Sequence, residues 1–292
     1  MPIRPARRTA ARPLAACAAL TLVLLLSGCE LVDRAAQRFE DEPTTAASHE
    51  PPAPGPAEAA GDAPERPVST LTTGGATLEL RAPRAAVVEG DGPRTVTLDL
   101  APGDTADLTL ASAGALDVDS DGSVTVLDGD GTPVAALGPP APPPDAGSTA
   151  PRIEVTDADA THARLEVDDR LRPGQGTGAA EGGSAGPVRY TVTAGDRAIE
   201  SATWGENEGG RSLAVDPADW ARRAGEAGLD LIRTQLVAAE PEADSATMDN
   251  QLVCHAVGAI DKPTWNLEPW RPDVGLILTA TAHCNPVRRD DP

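Results

Sequence analysis

Apolar and polar residues alternate along short stretches between residues 75 and 200, and Gly, Asp and Pro separate these stretches. Side chains of a β-strand point to opposite faces in turn, so a period of two predicts strands that bury one face. Turn-forming residues between such strands favour antiparallel neighbours. We therefore expect an antiparallel all-β domain over residues 75–200. The alternating positions are Leu78 and Leu80; Val96, Leu98 and Leu100; Leu108 and Leu110; Val124 and Val126; Ile153 and Val155; Ala163, Leu165 and Val167; and Val188, Tyr190 and Val192.

The hydrophobic period changes in the last third of the chain. Asp216 and Pro217 are typical of a cap and a first helical position, and they predict a short helix that carries Trp220. A second helix is expected where Leu229, Ile232, Leu236 and Val237 share one face, with Pro241 ending it, and a third over Ser245–Val257. The predicted fold class is thus α+β: the β domain, then a small helical C-terminal domain over residues 201–288.

The N-terminus has the pattern of an export signal. Four arginines precede an uncharged apolar run, Leu14–Leu26, which is too short to span a bilayer comfortably. The following Leu26-Ser27-Gly28-Cys29 resembles the lipobox of bacterial lipoproteins. That resemblance implies cleavage after residue 28, lipidation of Cys29, and anchoring to the outer face of the bacterial cell membrane. The lipid would make the membrane a partner of the chain.

Composition and charge narrow the partners. Residues 29–74 are rich in Pro, Ala, Glu and Gly, which predicts a disordered stalk after the anchor because such a segment buries too little apolar surface to fold. The formal net charge of the whole chain is −21. Nucleic acid is not expected as a partner, since its binding depends on Lys and Arg that neutralise phosphates. An envelope protein or a glycan is the expected kind of partner.

Two cysteines remain after the predicted processing, Cys254 and Cys284. Outside the cell a remaining pair tends to oxidise, so we expect a disulfide. The alternative is a zinc site, because His255 and His283 flank the cysteines and Cys₂His₂ is a zinc ligand set. The disulfide is favoured, since adjacent residues seldom point at one ion, and no cofactor is expected.

An acidic stretch within the β region resembles the first half of an EF-hand loop. Asp117, Asp119 and Asp121 precede Gly122, and Asp128 falls at the twelfth position. Oxygen ligands at this spacing can bind Ca²⁺, but the helices that flank an EF-hand loop are not predicted here. The favoured interpretation is a β-hairpin in which SVTVLD and TPVAAL are joined by a Gly-Asp-Gly turn.

The segment Lys262–Asp273 carries two Trp, three Pro and several charged residues. Together with Trp204–Val215, Cys254-His255 and Cys284-Asn285-Pro286, it resembles the domain-of-unknown-function family numbered 2599 over about residues 201–287. The resemblance implies an exported protein with a small disulfide-linked domain, and it implies no activity.

Three interpretations of this segment remain open. Trp265, Glu268, Trp270 and Arg271 form a structural core in the first and a binding surface for a protein or glycan in the second. In the third, an exported hydrolase or toxin-like nuclease uses His255, Glu268 and Arg271, with Lys262 assisting. The structural interpretation is favoured for these side chains, with the two Trp filling a small core and Glu268 pairing with Arg271 or another basic residue. Since no recognised catalytic motif joins these residues, a binding module without catalysis is the preferred hypothesis for the chain.

Overall fold

The computed structural model describes residues 66–88, 92–149, 151–168 and 186–287. The predicted signal peptide, Cys29 and the stalk up to residue 65 lie outside the described residues. The described part belongs to one compact unit. None of the helices in these ranges is long and apolar enough to cross a membrane.

The first eleven strands form two antiparallel sheets, which confirms the predicted β domain. One sheet has the order β1-β2-β5-β10-β9 and the other β3-β4-β11-β8-β7-β6. A 3₁₀ turn, Pro144–Thr149, precedes β9. The bounds are β1 Val68–Thr73, β2 Ala76–Arg81, β3 Ala85–Val88, β4 Arg94–Leu100, β5 Thr105–Leu110, β6 Ala115–Val118, β7 Val124–Leu127, β8 Pro133–Leu137, β9 Arg152–Thr156, β10 His162–Asp168 and β11 Val188–Gly195.

The alternating apolar residues explain how the two sheets hold together. Leu78, Leu98, Leu100, Val126 and Tyr190 have almost no exposed surface and belong to one apolar cluster with members from both sheets. Every predicted alternating stretch lies in a strand. The predicted stalk is wrong for residues 68–73, because β1 pairs with β2 over its whole length and buries Leu71 in the same cluster.

The remaining elements form what we call the C-terminal module, residues 199–287. Strands β12 Ile199–Asn207, β13 Gly210–Pro217 and β14 Trp265–Leu267 make a third antiparallel sheet, and β12 crosses the domain boundary predicted at residue 200. Four helices follow or interrupt the strands, with a 3₁₀ turn at Pro241–Ala243. They are α1 Asp219–Arg222, α2 Gly225–Ala239, α3 Ala246–Gly258 and α4 Leu276–Thr281.

The second and third predicted helices are confirmed as α2 and α3, and Ser245 caps α3 by accepting a hydrogen bond from the Met248 amide. The predicted start of the first helix is wrong. Asp216 and Pro217 lie in β13, and α1 has no side-chain cap. The reason is that the Asp216 carboxylate pairs with the buried Arg222 guanidinium at 3.0 Å instead of capping the helix.

The C-terminal module packs on the β sheets through α2. Ala136 of β8 belongs to the apolar cluster that contains Leu231, Ile232 and Leu236 of α2. Trp220 lies against Gly195, where the Cβ of any other residue would come within 2.6 Å of the indole ring, so this contact requires glycine. The module is therefore attached to the β domain by close packing.

Candidate functional site in the C-terminal module

The Glu268 and Arg271 side chains form a buried ion pair directly after β14. Each side chain is 1% exposed, and Arg271 donates from Nε to the Glu268 carboxylate. Asn207 Nδ2 donates to the other Glu268 oxygen at 2.9 Å, and Arg271 also donates to Glu208. A buried charge is stable only when it is paired and hydrogen-bonded in this way. The pair therefore links the β12–β13 hairpin to the segment that follows β14.

Backbone contacts fix this ion pair further. Gln251 of α3 accepts from the Glu268 amide and donates to the Glu268 carbonyl, each at 3.0 Å. Arg271 Nη1 donates to the Pro286 carbonyl at 3.3 Å. All of these partners lie in the protein interior or at its edge, so the pair is an internal brace for the C-terminal segment.

The His255 side chain forms no hydrogen bond to Glu268 or Arg271 among the described residues. Its Nε2 is 3.1 Å from the Asn266 carbonyl, and its ring is stacked on Trp265 with an interplanar angle of 10°. Its Nδ1 is buried and has no hydrogen-bond partner among the described residues. Burial lowers the pKa of His255 because the charged imidazolium loses solvation. The neutral ring therefore donates from Nε2 to Asn266.

The predicted catalytic set is only partly brought together. Glu268 and Arg271 bind each other, His255 binds the backbone of Asn266, and Lys262 is exposed to solvent. A general acid or base must reach a substrate proton, and the only carboxylate of this set is occupied by Arg271 and Asn207. The arrangement favours the structural interpretation of these side chains over the hydrolase.

The two tryptophans of the signature differ in exposure. Trp265 is fully buried, and its indole N–H donates to the Ala259 carbonyl at 3.1 Å. Trp270 is 37% exposed and lies against Gly210, with the Arg271 guanidinium 4.6 Å from its ring. Of the four residues predicted as a binding surface, Trp265, Glu268 and Arg271 are thus buried, and Trp270 alone of these four reaches the surface.

Arg222 is a buried organising residue that sequence reasoning missed. Its guanidinium donates to the carbonyls of Pro217, Ile260, Lys262 and Pro263 as well as to Asp216. Three of these bonds satisfy backbone carbonyl groups in the loop between α3 and β14. These carbonyls lie outside any helix or strand. Nothing in the sequence distinguishes Arg222 from the neighbouring exposed Arg223, because three of its partners are carbonyl groups about forty residues further along the chain.

The predicted disulfide is confirmed: Cys254 of α3 is bonded to Cys284, which follows α4. With both sulfurs in this bond, the zinc alternative with His255 and His283 is wrong. The predicted hairpin is also confirmed, since β7 and β8 pair antiparallel across the Gly-Asp-Gly turn. The described residues contain no group of three or more His, Cys, Asp or Glu side chains placed to hold a metal ion.

The acidic loop before β7 performs a different task in the structure. The Asp121 carboxylate accepts from the Glu226 amide at 3.0 Å, and Ser123 Oγ accepts from the Ala227 amide at 3.0 Å. These are free N–H groups in the first turn of α2, which its own N-cap residue leaves unsatisfied. The loop therefore caps a helix that lies about a hundred residues further along the chain.

Comparison with known proteins finds similarity over the C-terminal module. Residues 199–287 match the model of the family described as "Protein of unknown function (DUF2599)". Uncharacterized proteins of Mycobacterium bovis and of two Mycobacterium tuberculosis strains are each 36% identical over 98 residues. These matches cover 31% of this chain and 66% of each relative. No solved structure matches the chain.

Proposed function

We propose that this chain is an exported lipoprotein that is anchored at Cys29 to the outer face of the cell membrane and presents the C-terminal module to a partner protein of the envelope. The export signal and the lipobox-like residues support the location. The module supports binding rather than catalysis, because its buried charges are used to hold the fold.

The exposed apolar surface of α4 is the observation that carries this proposal. Leu276, Ile277 and Leu278 are all exposed, Ile277 to 81%, and no charged residue lies between Val274 and Ala282. Val257 of α3 is 82% exposed. Contiguous exposed aliphatic side chains typically mark an interaction site. They offer no hydrogen-bonding groups, so they suit an apolar protein surface better than the hydroxyls of a glycan.

The module holds this surface in place on both sides. The Cys254–Cys284 bond ties the end of α4 to α3, and Asn250 donates to the Asp273 carboxylate just before α4 at 3.1 Å. Asn250, Cys254 and Val257 share one face of α3 because they are spaced by four and three residues. Val257 therefore lies on the same face of α3 as the residues that hold the α4 segment.

The anchor and the surface call for separate experiments. Cys29→Ser is expected to move the chain from the membrane fraction to the soluble fraction, measured by fractionation and by mass analysis of the N-terminal peptide. If this variant stayed membrane-bound, the proposed anchor would be wrong.

The surface is tested in the lipidated chain with a photo-crosslinking amino acid at position 277. The control carries the same amino acid at Asp130, which is exposed in the β7–β8 turn. We expect position 277 to give a discrete crosslinked envelope protein that the control does not give. Identical products at both positions, or none at 277, would contradict the proposed interface.

A further inference from the structure

A cleft lies between α2 and α3 and includes none of the residues assigned above to the ion pair or to the α4 surface. This cleft has a volume of about 320 Å³. Its floor consists of Leu236, Met248, Leu252 and Leu267, each of which is at most 2% exposed. Small-molecule sites typically combine such an apolar floor with a few polar groups and begin at about 300 Å³. A water molecule occupies about 30 Å³, so the cleft has room for roughly ten non-hydrogen atoms.

The polar groups of the cleft are Arg233, Asp244, Ser245 and Asp249. The Arg233 cation is already neutralised, since Nε donates to Asp249 at 2.6 Å and Nη1 donates to Asp230 at 2.7 Å. Ser245 is used as the cap of α3. Asp244 is exposed, and only one oxygen of Asp249 is bonded to Arg233. The oxygens that a ligand can reach are therefore mainly those of carboxylates.

The charges around the cleft determine whether it favours a positively or a negatively charged ligand. The cleft is lined by the carboxylates of Asp244 and Asp249 and by one guanidinium, that of Arg233, which also pairs with Asp230, and the chain as a whole carries a formal charge of −21. The positive end of α3 opposes this charge by only about half an elementary charge. An anion would therefore be repelled, whereas a cation can pair with Asp244 and the second oxygen of Asp249.

We propose that this cleft binds an aliphatic ammonium group. A chain of about four to six carbons lies on the floor at Met248, and the ammonium group binds the carboxylates of Asp244 and Asp249. A free alkylamine and the lysine side chain of a peptide share this chemistry. The site goes beyond the proposed function, because it shares no residue with the α4 surface, and either proposal can fail without the other.

Met248 provides a direct reporter, because the chain contains only two methionines and the other is the initiator Met1. The full chain is labelled with ¹³C at the methionine methyl groups and titrated at pH 7 and constant ionic strength. The probes are n-hexylamine, hexanoate, and the peptide Gly-Lys-Gly with blocked ends. We expect a saturable shift of the Met248 signal with hexylamine or the lysine peptide, and binding at least fivefold weaker with hexanoate. The tighter of the two amines identifies the source of the ammonium group.

The head group is tested with Asp244→Asn, which should weaken amine binding three- to tenfold and reduce its advantage over hexanoate. Asp130→Asn is the matched control, because it removes an exposed carboxylate outside the cleft, and it should leave the affinity unchanged. Equal binding of hexanoate and hexylamine would overturn the proposed selectivity. No saturable shift with either hexylamine or the lysine peptide up to 50 mM would overturn the site, and an unchanged affinity in Asp244→Asn would overturn the assigned carboxylate.

Discussion

Replacing Arg271 with Met tests whether the buried ion pair is an internal brace. The variant keeps most of the aliphatic side chain but removes the only guanidinium that contacts the Glu268 carboxylate among the described residues. Glu268 would then retain Asn207 as its one side-chain donor, in a position that is 1% exposed. Removing one partner of a buried pair typically costs about 3–5 kcal/mol, because the other charge stays buried without compensation. We therefore expect Arg271→Met to lower the free energy of unfolding by about 3–5 kcal/mol.

Urea unfolding at pH 7 measures the effect. The double variant Glu268→Gln/Arg271→Met should lose less stability than Arg271→Met, because no carboxylate is left buried without its cationic partner. Arg197→Met is the control, since Arg197 forms an exposed pair with Glu200 and should contribute at most about 1 kcal/mol. A loss below 1 kcal/mol for Arg271→Met, or a loss in the double variant as large as that of Arg271→Met, would refute the reasoning.

Three further predictions concern the disulfide and two titrating groups. The double variant Cys254→Ser/Cys284→Ser opens a loop with a sequence separation of 30 and should lose roughly 3–4 kcal/mol of unfolding free energy in urea, and an unchanged midpoint would contradict this. Burial lowers the pKa of His255 below 6.5, so the fold favours the neutral ring and loses stability as the pH falls below 6.5. His255→Gln should flatten this part of the pH–stability curve, and a curve as steep as that of the parent chain would argue against the assignment. Burial raises the pKa of Asp119 from 3.8 to about 6, so this group stabilises the fold below pH 3.8 and the stabilisation is lost as the pH rises to 6. Asp119→Asn should therefore unfold at higher urea than the parent chain at pH 7.5 and at similar urea at pH 3.5, and equal midpoints at pH 7.5 would contradict the prediction.

The two β sheets were predictable because their signal is local. Each strand buries one face, so buried apolar residues such as Val96, Leu98 and Leu100 recur at every second position of the sequence. The same argument fails for the third sheet. Strand β12 has the sequence IESATWGEN, which is polar and mostly exposed, and β14 has only three residues. Such strands are stabilised by pairing with β13, and their own sequences show no alternation of apolar and polar residues that would predict them.

The site residues also divide into those with a local signal in the sequence and those that depend on distant partners. The disulfide was predictable from counting cysteines, and the α3 cap from Ser245. The Glu268–Arg271 pair agrees with the favoured structural interpretation. Its further partners Asn207 and Glu208 were not predictable, since they lie about sixty residues earlier in the chain. The cap predicted at Asp216 was wrong for a related reason, because the long-range network of Arg222 recruits that carboxylate.

The acidic loop shows why spacing alone misleads, and it also decides how the chain should be tested. The spacing of Asp117, Asp119 and Asp121 provides oxygen acceptors, and a calcium ion and a helix N-terminus both require such acceptors. In the fold, Asp121 and Ser123 bind the first amides of α2, and Gly225 at φ 73° allows this approach because a Cβ there would lie 2.0 Å from the Asp121 carboxylate. A fragment that begins at residue 201 would leave those amides without partners and expose the α2 surface that packs on β8. Loss of binding by such a fragment would then reflect its altered fold, so the partner and the cleft should be tested in the full chain.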